Sequence, residues 1–265
     1  MSAKRLWLSV LSVVVVASCV AVSHAASMGL NFVDGRNGSG PEALTTGQSA
    51  GVVAQMNWNN TTANTLGDGA HGTKTTSSIA SPVAGAIVDS TGATTGVTAS
   101  WTGYTTWSAA DEASPNANDI LMSDFLLTET TVGPDASVTF NNLTYGTYDV
   151  YVYFAGGGSG KTGEITLNSL APVTVTSLAF SGGPFNEATG ALDAGHYVRF
   201  ASVSGNSFTV ALNNTFTGNH MGIFGVQIVD TTQAIPEPAT ISLWAMLGVA
   251  AVGFGMWRRR AVHGQ

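Results

Sequence analysis

Tyr148-Asp149-Val150-Tyr151-Val152-Tyr153-Phe154 alternates side chains with a period of two. Positions 148, 150, 152 and 154 fall on one face of an extended chain, and 149, 151 and 153 on the other. A helix would repeat its apolar positions every three to four residues, so the run reads as a strand. Outward from it the same pattern recurs in 30–33, 137–140, 164–167, 173–176, 197–201, 207–212 and 223–229. Gly, Asn and Pro clusters separate these runs, as at 156–160 and at Gly182-Gly183-Pro184. Between residues 26 and 238 no helical stripe is visible. Short strands punctuated by turn residues predict an all-β domain, a β-sandwich or jelly roll.

Leu143-Thr144-Tyr145-Gly146-Thr147-Tyr148-Asp149-Val150-Tyr151-Val152 resembles the entry to a central strand in galactose-binding-like and fibronectin-like sandwiches. Gly146 is expected at the turn, with Tyr148 packed inward and its hydroxyl bonded to a backbone acceptor. Residues 28–33 and 222–229 resemble the first and last strands of galactose-binding-like jelly rolls. The resemblance implies that these two strands lie side by side, and it spans residues 28–230.

Both ends of the chain read as addresses. Lys4 and Arg5 precede an apolar run over 6–22, and Ser23-His24-Ala25 supplies small residues for cleavage. Residues 1–25 are therefore expected to be a signal peptide removed by signal peptidase. Cys19, the one cysteine, also sits in a lipobox-like Val16-Ala17-Ser18-Cys19. The two readings are lipidation at Cys19 or loss of Cys19 with the leader, and the second is preferred because a C-terminal anchor makes the lipid redundant.

Residues 235–265 hold Pro236-Glu237-Pro238, an uncharged run over 239–257, and Arg258-Arg259-Arg260. The run is long enough to cross a bilayer as a helix, with the arginines on the cytoplasmic side. Both prolines exclude helix before Ala239, leaving the triplet extended. This order resembles the PEP-CTERM sorting signal of bacterial exported proteins. The resemblance implies an inner-membrane precursor whose tail is read and removed by an exosortase, a membrane protease-transpeptidase, with Pro236, Glu237, Pro238, Arg258, Arg259 and Arg260 as the sorting motif.

Charged residues are 9% of the chain, far below the usual quarter, and the net charge is -7. Between 26 and 238 the basic residues are Arg36, Lys74, Lys161 and Arg199, while all 16 carboxylates lie there. Such a domain repels nucleic acid and anionic lipid, and it suits divalent cations or neutral glycans.

Several segments mimic reactive sites. Ala155-Gly156-Gly157-Gly158-Ser159-Gly160-Lys161-Thr162 matches a relaxed phosphate loop. That loop functions when a helix begins at the Lys-Thr pair, whereas strand residues follow here, so a glycine-rich hairpin is expected. His71, His196 and His220 show no paired metal spacing. No Gly-x-Ser-x-Gly elbow occurs, and nothing selects two carboxylates as a glycosidase pair. Asp111, Glu112, Asn116, Asn118 and Asp119, with Asp34 and Asn37 in another loop, are hard oxygen donors suited to a structural calcium ion, without EF-hand spacing; a solvated acidic loop is the competing reading.

Trp58, flanked by Asn57, Asn59 and Asn60, is a candidate for stacking on sugar rings, as are Trp101, Tyr104 and Trp107. Tryptophan equally fills sandwich cores, and the even spacing of Trp101 and Trp107 puts both on one face if a single strand holds them. The sequence thus predicts an exported, non-enzymatic surface or matrix protein associated with exopolysaccharide. A carbohydrate-binding module is the alternative, and a divergent secreted glycoside hydrolase a third.

Overall fold

The computed structural model describes residues 26–33, 43–61, 87–108, 116–128, 135–156, 158–214 and 220–232. All lie in one compact unit, Ala26–Thr232. Residues 1–25, expected to be a leader and including Cys19, lie outside the described residues, as do Asp34, Asn37, His71, Asp111, Glu112 and the tail over 235–265.

Two sheets face each other. The first runs β11 (Tyr197–Ser204), β7 (Thr147–Gly156), β13 (Met221–Asp230), β1 (Ser27–Asn31) and β2 (Asn59–Asn60). On the side of β13 that holds β1, β5 (Asp124–Thr128) also pairs, and β4 (Thr105–Ser108) lies outside β5. The second sheet runs β10 (Asp193–Gly195), β9 (Val173–Ser177), β8 (Thr162–Leu167), β12 (Ser207–Asn214), β6 (Ala136–Asn141) and β3 (Thr98–Thr102). The all-β sandwich expected from the period-two runs is the observed fold.

Alternation decides what each strand contributes to the core. Tyr148, Val150, Val152 and Phe154 of β7 meet Val138, Phe140, Ile165, Leu167, Phe208, Val210 and Leu212 of the facing sheet. Phe140 and Phe208 stack at 5.2 Å, with Tyr148 5.8 Å from Phe208. Each such side chain removed from water stabilises the fold by about 1.5–3 kcal/mol before ordering costs. The Tyr148 hydroxyl donates to the Gly205 carbonyl at 3.1 Å, the backbone acceptor expected of it. β1 and β13 are antiparallel neighbours, Ser27 opposite Val229 and Leu30 opposite Val226.

The other face of β7 is also covered. Tyr153 is fully buried and Asp149 and Tyr151 nearly so, because loops over 43–58 and 178–196 lie on the outside of the first sheet. Where β11 pairs with β7 the register shifts between Phe200 and Val203. Ser202 there has φ +56°, and its N–H donates to Asp149 Oδ1 at 2.9 Å. Asp149 Oδ2 accepts from Arg199 Nε at 3.0 Å and Nη2 at 2.6 Å, so one carboxylate fixes the bulge and its flanking cation.

Two expectations change. Trp101 and Trp107 do not share a strand: β3 belongs to the second sheet and β4 to the first, and the chain crosses between them at Gly103. A Cβ at Gly103 would lie 2.6 Å from Leu126 Cδ1, so any side chain at this tight crossing would have to displace Leu126. The glycine-rich segment after β7 is not a hairpin either. It carries the chain from β7 in the first sheet to β8 in the second.

Candidate functional site

Trp58 packs against the outside of the first sheet. Its ring covers Gly29 of β1, where a Cβ would come within 2.4 Å of Cε3, and it meets Tyr153 edge-on at 6.1 Å. Nε1 donates to the Ala50 carbonyl at 3.3 Å, and 4% of the residue is exposed. The amides beside it are committed as well. Asn57 Nδ2 donates to the Ser90 carbonyl. Asn59 Nδ2 donates to the Gly29 and Val88 carbonyls while its Oδ1 accepts from Val88 N–H. Asn60 Oδ1 accepts from Leu44 N–H and Asn31 Nδ2, and its Nδ2 donates to the Leu44 carbonyl. These amides tie loops to strands instead of facing solvent.

Trp101 is 2% exposed, its ring 5.6 Å from Phe32 and perpendicular to it in the core. Neither Trp58 nor Trp101 presents an open aromatic face. Tyr104 and Trp107 are half-buried at the β4 edge, Trp107 opposite Phe125 of β5. The four aromatic candidates are thus divided among the sandwich core, the covered outer face and the β4 edge.

Tyr153 centres a polar knot that the sequence did not reveal. Its hydroxyl donates to Gln227 Oε1 at 2.8 Å and accepts from Val52 N–H at 2.7 Å. Gln227 Nε2 donates to the Val53 carbonyl at 2.6 Å and to Gln55 Oε1 at 2.9 Å. Burial holds the Tyr153 phenol far above its ordinary pKa, so the group stays a donor. Beside it Phe180 and Phe185 stack at 4.9 Å, and His196 meets Phe180 edge-on at 5.2 Å. His196 Nδ1 accepts from Asn186 N–H at 3.1 Å, which leaves the proton on Nε2, 3.4 Å from the Ala179 carbonyl. Burial lowers its pKa by disfavouring the charged ring. Tyr197, whose hydroxyl donates to Glu187 Oε2 at 3.2 Å, is pushed up to about 12 by burial and by that carboxylate. The one trace of this cluster in the sequence is the apolar character of both faces of β7.

The three described members of the calcium candidate set lie at the start of a short helix, α1 (Ala117–Leu121). Asn116 Oδ1 accepts from the N–H groups of Asn118 and Asp119, and Asp119 Oδ2 accepts from Asn116 N–H, a capping box. Asn118 Oδ1 accepts from Gly51 N–H at 3.0 Å, docking the 43–58 loop. Asn116 Oδ1, Asn118 Oδ1 and Asp119 Oδ2 are thus committed to backbone donors. Among the described residues no three His, Cys, Asp or Glu side chains come together as a metal site.

In the phosphate-loop lookalike, Gly160 N–H donates to the Ser177 carbonyl and Lys161 N–H to Ser177 Oγ, which donates to the Gly158 carbonyl. β8 begins directly at Thr162. The Gly160 and Lys161 amides are used to pin the crossing, and no helix dipole backs the loop.

No curated protein matches the chain. Similar solved structures include an exo-β-1,3-galactanase from Phanerochaete chrysosporium with galactose, at 15% identity and TM-score 0.29, covering 54% of this chain and 32% of that one. A family GH115 4-O-methyl-α-glucuronidase with specificity for decorated arabinogalactans matches at 11% identity and TM-score 0.27, over 49% of this chain and 18% of that one. A GH26-CBM35 β-(1,4)-mannanase from Podospora anserina matches at 17% identity and TM-score 0.24, over 49% and 28%. The chain spans about a third or less of the length of each. Residues 234–260, which include Pro236, Glu237, Pro238 and Arg258 to Arg260, are a PEP-CTERM protein-sorting motif.

Proposed function

We propose that the chain is an exported, non-enzymatic protein of the cell surface or extracellular matrix, associated with polysaccharide and sorted by an exosortase. The sorting motif at 234–260 carries this reading. Its placement supports it: β13 ends at Asp230, so the domain closes immediately before the motif opens. At the other end β1 begins at Ser27, next to the cleavage expected after Ala25. The committed hydrogen bonds of the polar side chains around Trp58, Tyr153 and α1 favour a structural role for them over a catalytic one.

The test is replacement of Pro236 and Pro238 by Ala, which lets helix extend into the recognition segment while the apolar run is kept. The variant should accumulate as full-length membrane precursor in a host with an exosortase, as should the wild type in a strain without one. Unchanged release of a tail-less form would show the triplet to be incidental. A carbohydrate-binding role is the second reading. It would run through Tyr104 and Trp107, the two candidates that keep partial exposure, and glycan-array binding lost in Trp107→Ala would establish it.

A further inference from the structure

The strand that holds the first sheet together is the last one in the domain. β13 pairs with β7 from Met221 to Asp230, with β1 through 225–229 and with β5 through 221–223. All ten of its residues are buried, and Met221, Ile223, Val226 and Ile228 enter the core between the sheets. In the observed strand order β11 reaches the sheet through β7, β2 through β1, and β4 through β5. Without β13 the sheet is three separate pieces, β11–β7, β1–β2 and β4–β5. Isolated strand pairs are marginal in water, and their core faces would remain exposed. The second sheet does not substitute, because its inner face is the other half of the same core.

The position of β13 in the sequence gives this topology a consequence. Residues 231–238 separate it from the apolar run, a span of at most about 28 Å when extended. A chain exported from its N-terminal end delivers β13 after every other strand, just ahead of the apolar run. We propose that β13 is a folding latch set at the end of the export sequence. Until residues 221–230 are in place the domain stays open and threadable, and it closes within reach of the membrane that holds the tail. This inference rests on the export reading above and adds an order of events to it: translocation, then closure, then tail removal.

Chains released from translation at defined lengths, in an extract without membranes, test the latch by brief proteolysis, which reads the population of open chain. Chains ending at residue 214 should be digested at least about tenfold faster than chains ending at residue 232. A resistant core in chains ending at 214 would overturn the proposal. A permuted chain keeps the test sharp, since deletion alone can perturb folding in other ways. Asp230 N–H donates to the Ala26 carbonyl at 2.9 Å, so residues 220–232 can be moved ahead of Ala26 through a short turn. With leader and tail kept, this permutant should resist protease before its tail is made, and it should accumulate in the cytoplasm as folded precursor. Export of the folded permutant at the wild-type rate would refute a timing role. The protease readout does not depend on destination, so failure of the latch is distinguishable from failure of the sorting reading.

Discussion

Gly29→Ala should be among the most damaging single-methyl changes in the domain. Gly29 lies outside the left-handed region, so alanine is permitted there by the backbone and the penalty is steric. The added Cβ would sit 2.4 Å from Trp58 Cε3 and 2.7 Å from Cδ2. The ring has nowhere to retreat. Its Cζ2 already lies 3.0 Å from where a Cβ on Gly51 would be, and its Cζ3 3.6 Å from the same point on Gly225. Overpacking a closed site costs about 1–3 kcal/mol, and a slot walled by three glycines belongs at the upper end. At roughly 2–4 °C per kcal/mol for a domain of this size, the melting temperature should fall by about 6–12 °C. Trp58→Ala alone should cost about 3–5 kcal/mol by leaving a cavity. Once the ring is gone the Gly29 methyl has room, so the double variant should be about 3 kcal/mol better than the sum of the two. Denaturant melts of purified 26–232, followed by circular dichroism, measure all three. Additive effects, or an unshifted melt in Gly29→Ala, would show that Trp58 does not occupy the slot and is free for another role.

Tyr148→Phe removes the 3.1 Å bond to the Gly205 carbonyl and should cost about 1 kcal/mol, a drop of roughly 2–4 °C in the melt. His196 binds its proton less readily folded than unfolded, so the unfolded state takes up more protons as pH falls below 6.5, and its contribution to stability declines toward acid. His196→Asn, which keeps an acceptor for Asn186 N–H, should flatten that part of the pH–melting curve; an identical slope in both proteins would exclude His196 as its source. Lys161→Ala should leave the melt within about two degrees, and ATP with magnesium should not raise it, since a ligand of the native state would.

Strands whose one face meets the core and whose other face is polar were legible, as in β6 and β8, where buried and partly exposed positions alternate. The role of Tyr148 and the β1–β13 pairing were legible too, the first from the glycine turn before it and the second from family resemblance. β3, β4 and β5 were not. The first two are interrupted by a crossing between sheets that depends on the fit of Gly103 to Leu126, a contact between residues distant in sequence. β5 is buried along its whole length, which erases alternation. The aromatic candidates shared this fate. Asparagines around a tryptophan look the same in sequence whether they hold a sugar or their own loops, and the partners Gly29, Val88, Leu44 and Ser90 lie far along the chain. The sorting signal was readable because its recognition rests on local order: a triplet, an apolar run and a basic end.

The bulge on β11 bears on how the protein behaves when crowded. The net charge of -7 keeps copies apart in dilute solution, but salt screens that repulsion beyond about 8–10 Å, so it does not govern copies already packed together. Exposed strand edges would then be templates for fusion into larger sheets. Here the defence is geometric. Residues 186–188 cover the start of β11, and beyond them the bulge at Ser202, held by its N–H to Asp149 of β7, breaks the regular ladder that an incoming strand would extend. Of the other edge strands, β2 and β10 are 2 and 3 residues long, too short to nucleate a ladder, while β3 and β4 are 5 and 4 residues long. Asp149→Ala would free the Ser202 amide and unpin Arg199 together. The expected outcome is slow, concentration-dependent assembly into β-rich aggregates at the β11 edge.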